Sequence, residues 1–190
     1  MLWRSTRKQH LQTHKPSLAS CAEVESAFDT DSEILQWLAW IITDNEQVAL
    51  QCVAEARKLS SEQSEVFSDW LAQWARSSTI QRAIAYRRSD IISASHNYEK
   101  VQCMHGGHAA LTLREIECLR MTPVQIPAEL DLFARAVMLL RGVQHCTLQD
   151  CAQRLGCTLS AVVAASCASD QWAHARGKLC RDTRDSQRSD

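Results

Sequence analysis

Residues 147–168 read TLQDCAQRLGCTLSAVVAASCA, and their spacing decides how the rest of the chain is read. Thr147 with Asp150 three residues later is a helix start. Ala152 is small, as needed where two helices cross closely. Gly156, four residues on, supplies the left-handed backbone that a tight corner demands. Val162 follows six residues later and faces the first helix, while Cys151, Leu155, Leu159 and Ala165 fill the remaining inward positions. This spacing predicts a helix-turn-helix, two short helices packed near perpendicular, with Ala152, Gly156 and Val162 as its structural residues.

Working outward, residues 128–141 (AELDLFARAVMLLR) form an amphipathic helix through Leu132, Phe133, Ala136, Val137 and Leu140, stopped by Gly142. Residues 112–121 open with Thr112 and Glu115, a capping-box pattern, and Pro123 and Pro127 end that segment. The final helix begins near Ser160 and runs to about His174, and the charged tail from Lys178 is expected to be disordered. In the first half, residues 31–43 turn apolar after Asp31 or Ser32 as N-cap, with a break at Thr43 and Asp44. Residues 45–59 carry a stripe of Val48, Cys52, Val53, Ala56 and Leu59, and 60–64 read as a loop. Residues 65–88 read as one long helix whose Phe67, Trp70, Leu71 and Trp74 pack inward. Residues 1–30 are polar and aperiodic.

The expected fold class is therefore all-α, with two small helical domains. The expected divisions are a flexible arm over 1–30, a three-helix bundle over 31–90, a linker over 91–124, the helix-turn-helix domain over 125–177 and a disordered tail over 178–190. Composition agrees. Of 190 residues 45% are hydrophobic and 23% charged, and only five Gly and three Pro interrupt residues that favour helix. No apolar run approaches the roughly 20 residues that span a bilayer, and no signal peptide follows the basic N-terminus. A cytoplasmic location without membrane contact is the expectation. The nine Cys are odd in number and irregularly spaced, which suggests no disulfide framework. Cys52, Cys151 and Cys167 read as small buried hydrophobes. Cys103, His105, His108 and Cys118 fit no common zinc spacing, so no metal, cofactor or catalytic site is assigned.

Net charge is −1 and conceals an asymmetry. Residues 20–70 hold eleven Asp and Glu against Arg57 and Lys58 alone, while residues 71–90 hold Arg76, Arg82, Arg87 and Arg88 against Asp90 alone. Two faces with different partners are implied.

The run PAELDLFARAVMLLRGVQHCTLQDCAQRLGCTLSAVV resembles region 4 of the sigma-70 family, the extracytoplasmic-function type especially, through Pro127, Arg135, Val137, Leu140, Arg141, Leu148, Cys151, Ala152, Leu155, Gly156 and Val162. Residues 44–56 resemble that family's polymerase-binding helix of region 2. Residues 67–88 resemble the later region 2 helix through Phe67, Trp70, Leu71, Ala75, Arg76, Arg87 and Arg88. The order of the patterns is the family's own.

The resemblance implies a non-enzymatic protein of transcription initiation, whose partners are RNA polymerase core, promoter DNA and an anti-sigma regulator. Asp44, Glu46 and Gln47 would meet polymerase. Arg76, Arg82, Arg87 and Arg88 would meet DNA phosphates, and Thr158, Ser160, Ala161, Val163 and Ala164 lie where the family reads promoter bases. The reading helix departs from the pattern. Its outward positions Ser160, Ala161, Val163, Ala164 and Cys167 include no Arg, Lys, Asn or Gln, the residues that make bidentate base contacts, and Asp170 would repel phosphate. Weak sequence-specific DNA binding, or none, is expected from residues 158–172. The alternative implied is a degenerate helical adaptor or regulator that has lost promoter reading.

Overall fold

A computed structural model describes residues 17–63, 66–101, 111–120 and 126–187, the side chains of 63, 118–120, 127 and 176–187 excepted. Among the described residues every regular element is a helix. The only β pairing among them is an isolated bridge between Leu18 and Phe67.

Helix α1 (Cys21–Thr30) starts with a complete capping box. Glu23 N–H donates to Ser20 Oγ at 3.3 Å, and the Glu23 carboxylate accepts from Ser20 N–H at 2.8 Å. Val24 and Phe28, one turn apart, are its buried pair. The expected flexible arm over 1–30 is thus corrected for its later part. Residues 17–19 also pair backbone with the segment before residue 71, Ala19 N–H to Val66 O at 2.7 Å and Ser68 N–H to Ser17 O at 3.0 Å. The Ser-x-x-Glu signal was present in the sequence, and two apolar residues at i and i+4 sufficed to dock the helix.

Helices α2 (Ser32–Thr43), α3 (Glu46–Gln63) and α4 (Leu71–Tyr86) pack pairwise, with α1 across them. A small cluster of Val24, Phe28, Leu35, Ala56 and Ala75 joins these four. The residues expected to form a loop at 60–64 instead continue α3 to Gln63, because Ser60 is buried and accepts a hydrogen bond from Trp74 Nε1 at 3.2 Å. The expected single helix over 65–88 is split into a 3₁₀ turn at Ser68–Trp70, α4, and α5 (Arg88–Ser95), with Arg87 as the break.

A 3₁₀ turn (His96–Tyr98) follows α5, then α6 (Leu113–Arg120), α7 (Ile126–Glu129), α8 (Leu132–Gly142), α9 (Leu148–Leu155) and α10 (Leu159–Gln187). The stretch expected as a linker is in part structural. Ile91 of α5 and Ile116 of α6 are fully buried, and α5 packs on α8 and α9. Thr112 and Glu115 close the expected capping box. The expected disordered tail is corrected too, since α10 continues through Gln187. The sequence after Ala175 holds no proline to end it.

Two domains held apart by a linker give way to one shared core. It runs from Ile34, Leu38 and Ile42 of α2 through Ile80 and Ile84 of α4 to Phe133, Val137 and Leu140 of α8 and Val162 and Ala165 of α10. Helix α8 is the inner helix of the second half. Asp131 caps it through the Phe133 and Ala134 amides, and every residue of it except Arg141 is buried. In place of the expected amphipathic stripe, the helix is buried all round except at Arg141, as a helix packed on several sides must be.

Arg135, buried on α8, donates from Nη1 to the carbonyl of Ile41, 94 residues away, at 2.6 Å. Arg87 Nη1 donates to Thr43 O at 3.0 Å. The C-terminal carbonyls of α2, which have no partner inside their own helix, are thus met by guanidinium groups from two other elements. We predict that Arg135→Met lowers unfolding free energy by about 1–3 kcal/mol in a denaturant titration, the cost of leaving a buried carbonyl unpaired.

Gly142 marks a second point of close approach. A Cβ there would collide with the Leu111 carbonyl oxygen and stand 2.6 Å from Ile116 Cδ1. Gly142→Ala is expected to destabilise by about 1–3 kcal/mol in the same titration, through overpacking against backbone that cannot rotate away.

Candidate nucleic-acid and partner interface

Helices α9 and α10 are joined by a tight corner at Gly156–Thr158. Thr147 caps α9 with a closed box. Asp150 N–H donates to Thr147 Oγ1 at 3.1 Å, and the Asp150 carboxylate accepts from Thr147 N–H at 3.0 Å. Gly156 takes a left-handed φ of 70°, and both its N–H and that of Cys157 donate to Ala152 O, at 2.9 and 3.1 Å. Ala152 and Val162 are buried members of one cluster. The two helices meet with a bend of 114°, within the range such motifs use.

What the corner presents is not what was expected. Thr158 and Ser160 are exposed, and Thr158 Oγ1 accepts from Ala161 N–H at 3.3 Å as the cap of α10. Val163 is half-buried. Ala161, Ala164 and Cys167, read as outward positions, are buried, and this is a correction. Helix α10 packs on α8, on α9 and on the 3₁₀ turn at 96–98, and its alanines let these neighbours approach from several sides. Asp170, expected to face phosphate, has its side chain almost wholly buried and pairs with Arg141 at 3.5 Å. Trp172 Nε1 donates to Glu129 at 3.0 Å, a tie to α7. The turn itself is held by Tyr98, whose ring centroid lies 5.5 Å from that of Phe133 and whose hydroxyl donates to Asp131. Burial and that carboxylate push the Tyr98 phenol well above its ordinary range.

The four arginines do not form one phosphate-facing row. Arg76 is paired with Asp31 at 2.8 Å, and Arg87 with Asp90 at 2.7 Å in addition to Thr43 O. Arg82 is half-buried along a cleft of about 390 Å³ between α3 and α4, with Trp74, Ser60, Ser78 and Gln81. Arg88 is exposed and shares a second cleft, about 300 Å³, with Arg154, Gln81 and Leu140.

The aromatic residues expected to pack inward are a further correction. Trp70 is 69% exposed, Phe67 43% and Trp74 40%. The 3₁₀ turn takes Phe67 and Trp70 out of phase with α4, whose buried residues are Ala75, Thr79, Ile80, Ala83 and Ile84. Asp44, Glu46 and Gln47 are all exposed at the corner between α2 and α3, with Leu50, 44% exposed, one turn on. Asp44 holds a left-handed φ of 53° there, and Asn45, missed in the sequence, caps α3 by accepting from Val48 N–H at 3.1 Å.

Cys52 and Cys151 are buried free thiols as expected, and burial pushes both up, Cys151 to about 12. Cys167 is buried but disulfide-bonded, which corrects its reading as a free hydrophobe. Cys103, His105, His108 and the Cys118 side chain lie outside the described residues. Among the described residues no His, Cys, Asp and Glu group could hold a metal ion, and no single helix is long and apolar enough to cross a membrane. Comparison with protein-family models, curated proteins and solved structures finds no match.

Hydrogen bonds from Thr147 hold the Asp150 carboxyl below its ordinary value. A depressed carboxyl contributes stability above its unfolded-state value and loses it as pH falls through the folded-state value. Asp150→Asn should therefore melt at a lower temperature than the parent chain at neutral pH. The difference should shrink on acidification through the carboxylate range, as read by circular dichroism.

Proposed function

We propose that this chain is a sigma-like helical adaptor, one that docks RNA polymerase core through its first half and does not read promoter bases with its second. What carries the proposal is the burial of Ala161, Ala164 and Cys167. A recognition helix must present one face to the major groove with donors and acceptors on it. Here α10 is packed on α8 and on the turn at 96–98, and Thr158, Leu159 and Ser160 lie open at its start. The helix-turn-helix then serves as a packing unit. Region 2-like and region 4-like halves remain the reading of the two sequence blocks, within one shared core.

The polymerase-facing surface proposed is the corner of Asp44, Glu46 and Gln47, extended by exposed Leu50. Exposed acidic groups beside an apolar residue suit a basic protein partner, and they set approach and orientation more than affinity. A cognate anti-sigma regulator is a second partner that the resemblance would supply.

One observation favours a rival reading in which promoter DNA is still bound through the first half. Trp70 and Trp74 are open to solvent with Arg82 on the same helix as Trp74, a combination that can stack unpaired bases and meet a phosphate.

Affinity capture of RNA polymerase core on the full chain tests the proposal. Core should be retained, and the Asp44→Lys, Glu46→Lys double variant should retain several-fold less. Transcription assays with the same complex should give no promoter-dependent product. Failure to retain core overturns the adaptor reading. Promoter-dependent transcripts, or quenching of Trp fluorescence by single-stranded DNA that Trp70→Ala abolishes, would replace it with the rival.

A further inference from the structure

The start of α9 is closed by its capping box at Thr147 and Asp150. The residue before the cap is Cys146, and the fourth helical residue is Cys151. In helices of this kind those two positions meet as a hydrophobic staple that fixes how the chain enters the helix. Here both members of the staple are cysteines. Both are free, and Cys146 packs against the buried cluster that contains Cys151. Both backbones are anchored, with Cys146 N–H donating to Leu140 O at 3.0 Å and Cys151 N–H to Thr147 O at 3.0 Å. Cys151 is fully buried, while Cys146 is half-buried and open to a small reagent.

We propose that Cys146 and Cys151 are an oxidisable dithiol, a modification site at which a small-molecule disulfide oxidant closes a covalent staple over the first turn of α9. Cys146, the accessible member, loses its proton to water. Its thiolate attacks one sulfur of the oxidant, whose S–S bond breaks and releases one thiol. Cys151 then loses its proton and attacks Cys146 Sγ, and the mixed disulfide breaks to release the second thiol. Two protein thiols give up two electrons and two protons, and the oxidant becomes two thiols. The bond formed is about 2.05 Å long. The adjoining turn, where His145 holds a left-handed φ of 53°, is the segment that must adjust.

The charges around the pair set its pace. Burial pushes both thiols up, and Asp150 reinforces this at each. Arg154 opposes it at both, and Arg141 of α8 opposes it at Cys151. The thiolate fraction is therefore small at neutral pH, and oxidation should accelerate about tenfold per pH unit while the thiols remain mostly protonated.

The test exposes the full folded chain to oxidised glutathione across a pH series, alkylates the remaining thiols and maps the peptides by mass spectrometry. The expected result is a Cys146–Cys151 bond, with both residues lost to alkylation together and faster at higher pH. Slower amide exchange in the first turn of α9 should accompany it. In Cys151→Ala, Cys146 should stop at the mixed disulfide with glutathione. In Cys146→Ser, Cys151 should stay reduced. The proposal is overturned if Cys146 in the parent chain stops at the mixed disulfide, if it pairs with Cys157 or another cysteine, or if both thiols remain free while other sites oxidise.

Discussion

The carbonyl end of α2 lies inside the protein, and the architecture follows from the need to satisfy it. A helix leaves its last four carbonyls without intrahelical partners, and burying them unpaired is costly. Asp44 N–H meets Trp40 O at 2.8 Å as the chain turns back, and Thr43 Oγ1 adds a bond to Ala39 O at 3.0 Å. Arg135 and Arg87 supply Ile41 O and Thr43 O from outside the helix. Burial lowers the Arg135 pKa from its ordinary value, with Asp44 and Asp131 opposing that shift. An arginine remains charged under such conditions where other bases would not. Its contact ties α8 to α2, and α8 is the helix around which α5, α9 and α10 are packed.

That tie explains why the halves share one core. Were α8 amphipathic, with one face to solvent, the second half could stand apart on its linker. Instead its residues are buried on all sides but that of Arg141, so α5 and α10 must cover it. Covering α8 consumes the face of α10 that a DNA-reading helix would present. The absence of Arg and Lys over residues 159–175 and the burial of Ala161, Ala164 and Cys167 are two signs of one circumstance, since a face packed in the interior has no use for arginine and is filled by alanine.

Several local features were legible in the residues because their causes are local. The corner at Ala152, Gly156 and Val162, the boxes at Thr112 and Thr147 and the break at Asp44 each depend on atoms within a few residues of one another. Other features were misread because they rest on distant contacts. Phe67, Trp70 and Trp74 had the spacing of a buried face, but a 3₁₀ turn shifted the phase of Phe67 and Trp70, and smaller residues of α4 took the interior in place of Trp74. Ser60 looked like loop until Trp74 reached it across the bundle. The disulfide state of Cys167 could not follow from spacing, because it depends on a partner elsewhere in the chain.

The amino-acid sequence by itself determined that this protein is helical, where α2, α6 and α9 begin and end, and that one pair turns a sharp corner. Backbone hydrogen bonds, caps and left-handed turns are settled over a few residues. Tertiary structure alone decided which faces are open. Ala161 and Ala164 are inside and Trp70 is outside because of what α8, the turn at 96–98 and α4 place against them. Burial is a property of neighbours brought together by the whole fold, and no short window of residues contains it.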